Sequence, residues 1–391
     1  MANATASKKK KVNDSATDST QEGIIVKSPD AQPSRGLDIG TANIAAASLT
    51  YNEETREFEV QSTSLRDVFL AFPAEEQYTL EVSGVPCHLS QDESVAYVIA
   101  DDAFNMATVM GLSLRRPLAN GFVSDKEDQA KEVLNLLLSN LLGKPKVPGE
   151  LVVFSVPGIP IGGDATTAQF HTRFFSDLLK KSGFTPMPVN EAMAVCLSEV
   201  YVPGDIDAIP LTGLCISFGA GMINVALVFK SQLVRSFSLE MGGDFIDHSA
   251  AKATNSPVTQ VSALKEHGVD VRTGAIVNQL PYHDHQSERQ AEAISMMYKE
   301  LLSKLRDAIN TYFGDPKNRL EIHDTLPVIV SGGTAMSIGF KDLFNDIVLH
   351  PDHGVEVRFP LAKDATLAKD PLAAVCQGAL TLARIRTRTK K

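Results

Sequence analysis

Two stretches decide the reading of this chain: Leu37-Asp-Ile-Gly40-Thr-Ala-Asn43-Ile-Ala45 and Ile216-Ser-Phe-Gly219-Ala-Gly221-Met-Ile-Asn224. Each is an apolar strand pattern, a turn of small or polar residues that begins at a glycine, and a second apolar strand pattern. The second stretch starts like the G-x-G-x-x-G dinucleotide fingerprint, but Asn224 stands at the third glycine. The next residues, Val225 to Phe229, are apolar and suit a strand rather than the helix that fingerprint requires. Both stretches therefore read as hairpin tips. Their recurrence implies two similar domains whose turns can face each other across a cleft and hold a ligand with several phosphates from both sides.

The surrounding texture repeats in the same way. Strand patterns near 36–50 and 151–156 accompany helical patterns near 126–142 and 165–182. A second set has strands near 212–229 and 326–331 and helices near 243–254, 287–312 and 370–386. The expected class is α/β, with two duplicated α/β domains. Residues 1–35 read as a disordered tail, 36–190 as the first domain with the helix 370–386 returning to it, 191–369 as the second with a small subdomain at about 255–324, and 387–391 as a basic tail.

Composition narrows the function. The chain has 391 residues, 43% of them hydrophobic, and a formal net charge of -10, so it can bury a large core and lacks the basic surface of a nucleic-acid binder. Cys87, Cys196, Cys215 and Cys376 form no C-x-x-C pair and read as reduced, buried thiols rather than a zinc site or disulfide framework. No apolar run reaches a membrane span, and the basic N-terminal start lacks a signal-peptide core, so a cytosolic protein is expected. The cluster Lys8 to Lys11 offers a weak contact to an anionic membrane or a scaffold partner; a solvated tail is the plainer account.

The chemistry of the turns is that of anion binding. Backbone N–H groups at a tight turn form a concave anion site, and glycine lets the backbone approach a phosphate closely. Thr41 adds a hydroxyl, and Asp38 at its strand end can hold Mg²⁺ directly or through its waters. Val328-Ile-Val-Ser-Gly332-Gly333-Thr334-Ala-Met336 runs a buried strand into a Gly-Gly turn where a purine or its ribose can lie against backbone. Met241-Gly242-Gly243-Asp244 leads into a helix whose N-terminal N–H groups can take phosphate charge. Ordinary structural turns are the alternative for both.

With these residues in view, the chain resembles the actin, heat-shock chaperone and sugar-kinase ATPase superfamily, and within it bacterial actin homologues of the MreB and MamK type. Leu37-Asp-Ile-Gly-Thr-Ala-Asn43 is similar to the first phosphate motif. Arg116-Pro-Leu-Ala-Asn-Gly-Phe-Val123 resembles the R-P-L-x-x-G segment, Phe154-Ser-Val-Pro157 the strand ending in Val-Pro, Val189-Asn-Glu-Ala-Met-Ala194 the E-P-x-A segment, and Asp370 to Ala379 the C-terminal connecting helix. The resemblance implies an actin-like fold, ATP or ADP with Mg²⁺ in the cleft, hydrolysis coupled to domain closure, and polymerisation into filaments of the chain's own copies. It places Gly40, Thr41, Ala42 and Asn43 on the phosphates from one side and Ser217, Gly219, Ala220 and Gly221 from the other. Gly242 and Gly243 join them, while Lys265 and Glu266 flank the adenosine beside Gly332, Gly333, Thr334 and Met336.

The chain also departs from that pattern. Where the second phosphate motif normally has an aspartate and later threonines, it has Ser217, Met222 and Ile223. A serine brings no charge, so metal affinity and hydrolysis are both expected to be weak. Glu191 is the candidate to polarise an attacking water, or else a hinge residue; Gln169 and His171 lie near the hydrolytic position of the following helix. His283-Asp-His285 reads as a surface loop, and Met296-Met297 as core under a small subdomain. Two functional readings remain: an ATP-dependent filament that organises cell shape or an intracellular structure, and a non-polymerising, degenerate relative that acts as a nucleotide-dependent switch or assembly factor. A small-molecule kinase would need an acceptor pocket with its own base, for which no residue stands out.

Overall fold

The computed structural model describes residues 25–26, 32–200, 210–277, 284–318 and 320–388. The first stretch forms two antiparallel strands, Ser34–Ile39 and Asn43–Asn52, with Asp38 opposite Ala45. The second forms Gly213–Phe218 and Ile223–Phe229, with Ser217 opposite Asn224. Beside each hairpin lies a third antiparallel strand, Glu57–Arg66 in one half and Gln232–Leu239 in the other. On its other side each first strand pairs in parallel with a crossover strand, Leu151–Val156 or Leu326–Ser331, which in turn carries Thr185–Asn190 or Leu361–Leu367. Order and strand sense of these five strands are the same in both sheets, so the duplication read from two turns extends over whole sheets.

The first domain begins earlier than composition implies. The first strand of its hairpin starts at Ser34, and Arg35 is buried with its Nε 2.9 Å from the Glu150 carboxylate. Ile25–Val26 pairs with Glu57–Arg66, although its neighbours have the composition of a tail. Lys8 to Lys11 lie outside the described residues.

The helix Ala374–Thr387 returns to pack between the two sheets, against the first strand and the helix Glu191–Val200. Two glycines permit that approach: a Cβ on Gly36 would lie 1.9 Å from the Cys376 carbonyl oxygen, and one on Gly378 would lie 1.8 Å from that of Ala194. The core around this helix joins Val153 of the first sheet to Cys215, Ala226 and Ile329 of the second. Cys196, Cys215 and Cys376 are buried, Cys87 is partly buried, and all four are free thiols.

Each domain carries an accessory unit. In the first, the strands Phe69–Pro73, His88–Leu89 and Val95–Ile99 and the helix Ala100–Met110 close a small core of their own. In the second, the helices Val258–Gly268 and His285–Gly314 share the core of the main sheet. Asp284 caps the longer helix by accepting from the Ser287 N–H at 2.8 Å, so His285 is the first helical residue and not part of a loop; His283 lies outside the described residues. Neighbouring residues on a helix point about 100° apart, and here only Met297 packs inward while Met296 is 63% exposed.

His171, on the helix Ala165–Lys181, is fully buried, with its ring 4.7 Å from Phe175 and 5.8 Å from Phe122. Burial lowers its pKa from 6.5 to about 3. It is therefore a neutral core residue rather than a hydrolytic one. The unfolded ring takes up a proton near its ordinary pKa, and the folded ring does not until about pH 3. Stability is thus present above pH 6.5 and lost as pH falls toward 3, by up to about 1.4 kcal/mol per pH unit. His171→Phe should flatten that part of the urea-denaturation profile; an unchanged acid limb would show that the ring does not contribute.

Candidate functional site

The two hairpin tips close in the same way. The Gly40 N–H donates to the Asn43 carbonyl at 3.1 Å, and the Gly219 N–H donates to the Met222 carbonyl at 3.0 Å. They meet across the cleft. A Cβ on Gly221 would stand 2.5 Å from Thr41 Oγ1 and 2.7 Å from the Gly121 nitrogen, so this glycine brings the second tip against the first domain. Thr41 Oγ1 accepts from the Gly121 N–H at 2.9 Å. Gly121 belongs to a two-residue hairpin, Asn120-Gly121, with positive φ at both positions, between Leu118–Ala119 and Phe122–Val123. That is the geometry for which Asn-Gly is favoured.

The floor of the cleft is acidic. Ser155 Oγ accepts from the Ile39 N–H at 2.8 Å and donates to Asp38 Oδ1 at 2.9 Å. Opposite, Glu191 starts the helix Glu191–Val200 and accepts from Ser217 Oγ at 2.8 Å through one oxygen and from Asn224 Nδ2 at 2.9 Å through the other. Burial, reinforced by the Asp38 charge, raises the Glu191 pKa despite both hydrogen bonds. Burial likewise raises that of Asp38. Both acids are thus held back from ionising in a poorly solvated cleft. Ser217 is therefore an orienting donor for Glu191, a role an aspartate in its place would not fill.

The paired glycines at 242 and 243 support the second tip from behind. The Gly243 N–H donates to the Gly219 carbonyl at 3.0 Å and the Asp244 N–H donates to that of Ala220 at 2.9 Å, so these two helix N–H groups serve the hairpin backbone rather than a phosphate. A Cβ on Gly242 would lie 2.4 Å from the Ala220 oxygen. Thr334 Oγ1 also donates to the Gly219 carbonyl, at 3.1 Å. Gly332 has φ +96°, and a Cβ there would meet the Phe218 oxygen at 2.3 Å. Gly333 and Thr334 are thereby fixed beside the second tip, while Met336 at the end of the short turn is half exposed. Lys265 Nζ lies 2.8 Å from the Asp247 carboxylate and 3.5 Å from the Gly243 carbonyl, and Glu266 next to it is exposed at the cleft.

Several side chains that link the two halves of the cleft, or lie beside its turns, escape reading from sequence windows. Asn224 is buried and links the domains, since its Oδ1 also accepts from the Gly158 N–H at 2.8 Å. Arg116 Nη1 donates to Asp244 Oδ2 across the cleft at 2.8 Å. Asp67 is fully buried beside the first turn, its N–H donating to the Ala42 carbonyl at 2.9 Å. Burial pushes the Asp67 pKa well up, opposed by the Arg116 charge. Gln169 is exposed and lines a hollow with Ile159, Ala165, Ala168, Thr172 and Arg173, which none of the hairpin-tip or floor residues lines.

The sequence model of the volactin family matches residues 34–383, which run from the first strand of the first hairpin into the returning helix. This chain belongs to the volactin family. Solved structures similar to it include a MamK double helical filament, at 20% identity and TM-score 0.61, covering 90% of this chain and 98% of that one. MreB 5 of Spiroplasma citri bound to AMPPNP matches at 16% identity and TM-score 0.59, covering 91% and 97%; its ADP-bound form matches at 16% and 0.58, covering 92% and 98%. A search of curated proteins found no match. This member of the volactin family thus has the actin-like fold implied by its motifs.

Proposed function

We propose that this chain binds ATP or ADP in the cleft between its two sheets and assembles into filaments of its own copies that organise cell shape or an intracellular structure. The observation that carries this reading is the meeting of equivalent hairpin tips from two duplicated sheets, at Thr41 and Gly221, over a floor holding Asp38 and Glu191. A MamK protein of the same fold forms a double helical filament, and an MreB of the same fold is bound to AMPPNP.

Mg²⁺ fits this floor only in company with phosphates. Among the described residues no group of three or more His, Cys, Asp or Glu side chains gathers as a metal cage. A nucleotide-borne Mg²⁺ retains several waters and needs only one or two carboxylates, which Asp38 and Glu191 supply. Bound metal would supply positive charge to the phosphates and favour the ionised forms of both acids. Ser217 orients Glu191, and Glu191 must lose its proton before it can accept one from water. Hydrolysis is slow in this reading because Ser217 brings no charge to the metal.

Sedimentation and negative-stain microscopy with ATP, ADP or no nucleotide, each with and without Mg²⁺, test the proposal. Pelleting filaments that depend on nucleotide are expected. Absence of pelleting across salt and nucleotide conditions sinks it, and nucleotide binding without assembly would point to the switch reading instead.

A further inference from the structure

A second part of the cleft lies beyond the hairpin tips. A cavity of about 280 Å³ is lined by Asn43, Ser64, Arg66 and Asp101 from the first domain and by Glu266 from the second. Asn43 and Arg66 are directly paired on neighbouring antiparallel strands, which places the base of the arginine about 5 Å from the residue that closes the first turn. Ser64, two residues earlier on the same strand, faces the same side.

The charges around this cavity are unevenly committed. Lys265 is held in a buried pair with Asp247, and Arg116 bridges to Asp244. Arg66 is different. Its Nε contacts Asp101 at 2.9 Å, with the two side chains 46% and 64% exposed, and its guanidinium carbon lies 4.1 Å from the centre of the Phe104 ring. Such an exposed pair contributes little. It engages only Nε, so that neither Nη group has a hydrogen-bond partner among the described residues. A guanidinium stacked on an aromatic ring, with a free fork, is suited to a phosphate oxygen pair. The nearby turns, by contrast, present backbone groups and acids but no cation.

We infer that Arg66 is a phosphate-contacting residue of the cleft, positioned by Phe104 and released from Asp101 when a nucleotide polyphosphate enters. This rests on the nucleotide reading above and adds a residue outside the turns to it. ATP and adenosine are titrated against the full chain and against Arg66→Ala, Arg66→Lys and Asp101→Asn. Arg66→Ala should weaken ATP at least about tenfold and adenosine less than about twofold. Arg66→Lys should recover part of the loss, and Asp101→Asn should bind ATP as tightly as the parent or more tightly. Equal weakening of ATP and adenosine, or no weakening of ATP by Arg66→Ala while the parent chain binds it, overturns this inference alone. A parent chain that binds no ATP overturns both this inference and the reading it rests on.

Discussion

Gly221→Val is expected to lower ATP affinity at least about 100-fold, worth about 2.7 kcal/mol, and to abolish nucleotide-dependent pelleting while the chain stays folded. The cause is local and inter-domain. A Cβ at this position would stand 2.5 Å from Thr41 Oγ1, 2.7 Å from the Gly121 nitrogen and 3.1 Å from the Asn120 carbonyl carbon, all in the opposite domain. Neither sheet needs to unpack to relieve the clash, because the hairpin tip is held from its own side by Gly243, Asp244 and Thr334. The cleft must open instead, and displacement of about 1 Å is enough to spoil a two-sided binding geometry. Gly221→Ala should give an intermediate loss. Calorimetric titration with ATP and sedimentation provide the readout, with thermal unfolding as the control for folding. Unaltered affinity in the valine variant would mean that contact between the tips is dispensable for binding.

The same contact shows what was legible in the sequence. Glycine turns between apolar strand patterns have local signatures, so both hairpins, the crossover strands and the long helices could be read from windows of ten or twenty residues. The partners of the turns carry no such signal. Thr41 is linked to Gly121, Glu191 to Ser217 and Asn224, and Arg116 to Asp244, each contact joining residues far apart in the chain. Asn224 inside an apolar strand and Ser155 before Val156-Pro157 were visible as polar interruptions, but only the fold shows that one binds Glu191 and the other Asp38. The Gly242-Gly243 turn was visible too, yet its N–H groups proved to be committed to the neighbouring hairpin. For the same reason His171 and Gln169, two residues apart on one helix, could not be separated by sequence into a buried ring and an exposed amide.

Ser217→Asp is expected to destabilise the ligand-free chain by about 3 kcal/mol or more at neutral pH, since a buried donor to a partly buried carboxyl is replaced by a like charge. Ser217 Oγ lies 2.8 Å from Glu191, and the Asp38 charge already acts to raise the Glu191 pKa. A third acid increases that repulsion. Because raised carboxyl pKa values make folding favour the protonated forms, the loss should be small at acid pH and grow as pH rises through the raised values. Adding Glu191→Gln should recover most of the stability, as the amide can donate to the new aspartate. Mg²⁺ with ATP should stabilise Ser217→Asp more than the parent chain, and turnover should rise only when the metal is present. Urea denaturation with and without Mg²⁺-ATP, followed across pH, measures each of these. If the variant were as stable as its parent at neutral pH without metal, the hydrogen bond from Ser217 would not be what accommodates Glu191 on the cleft floor.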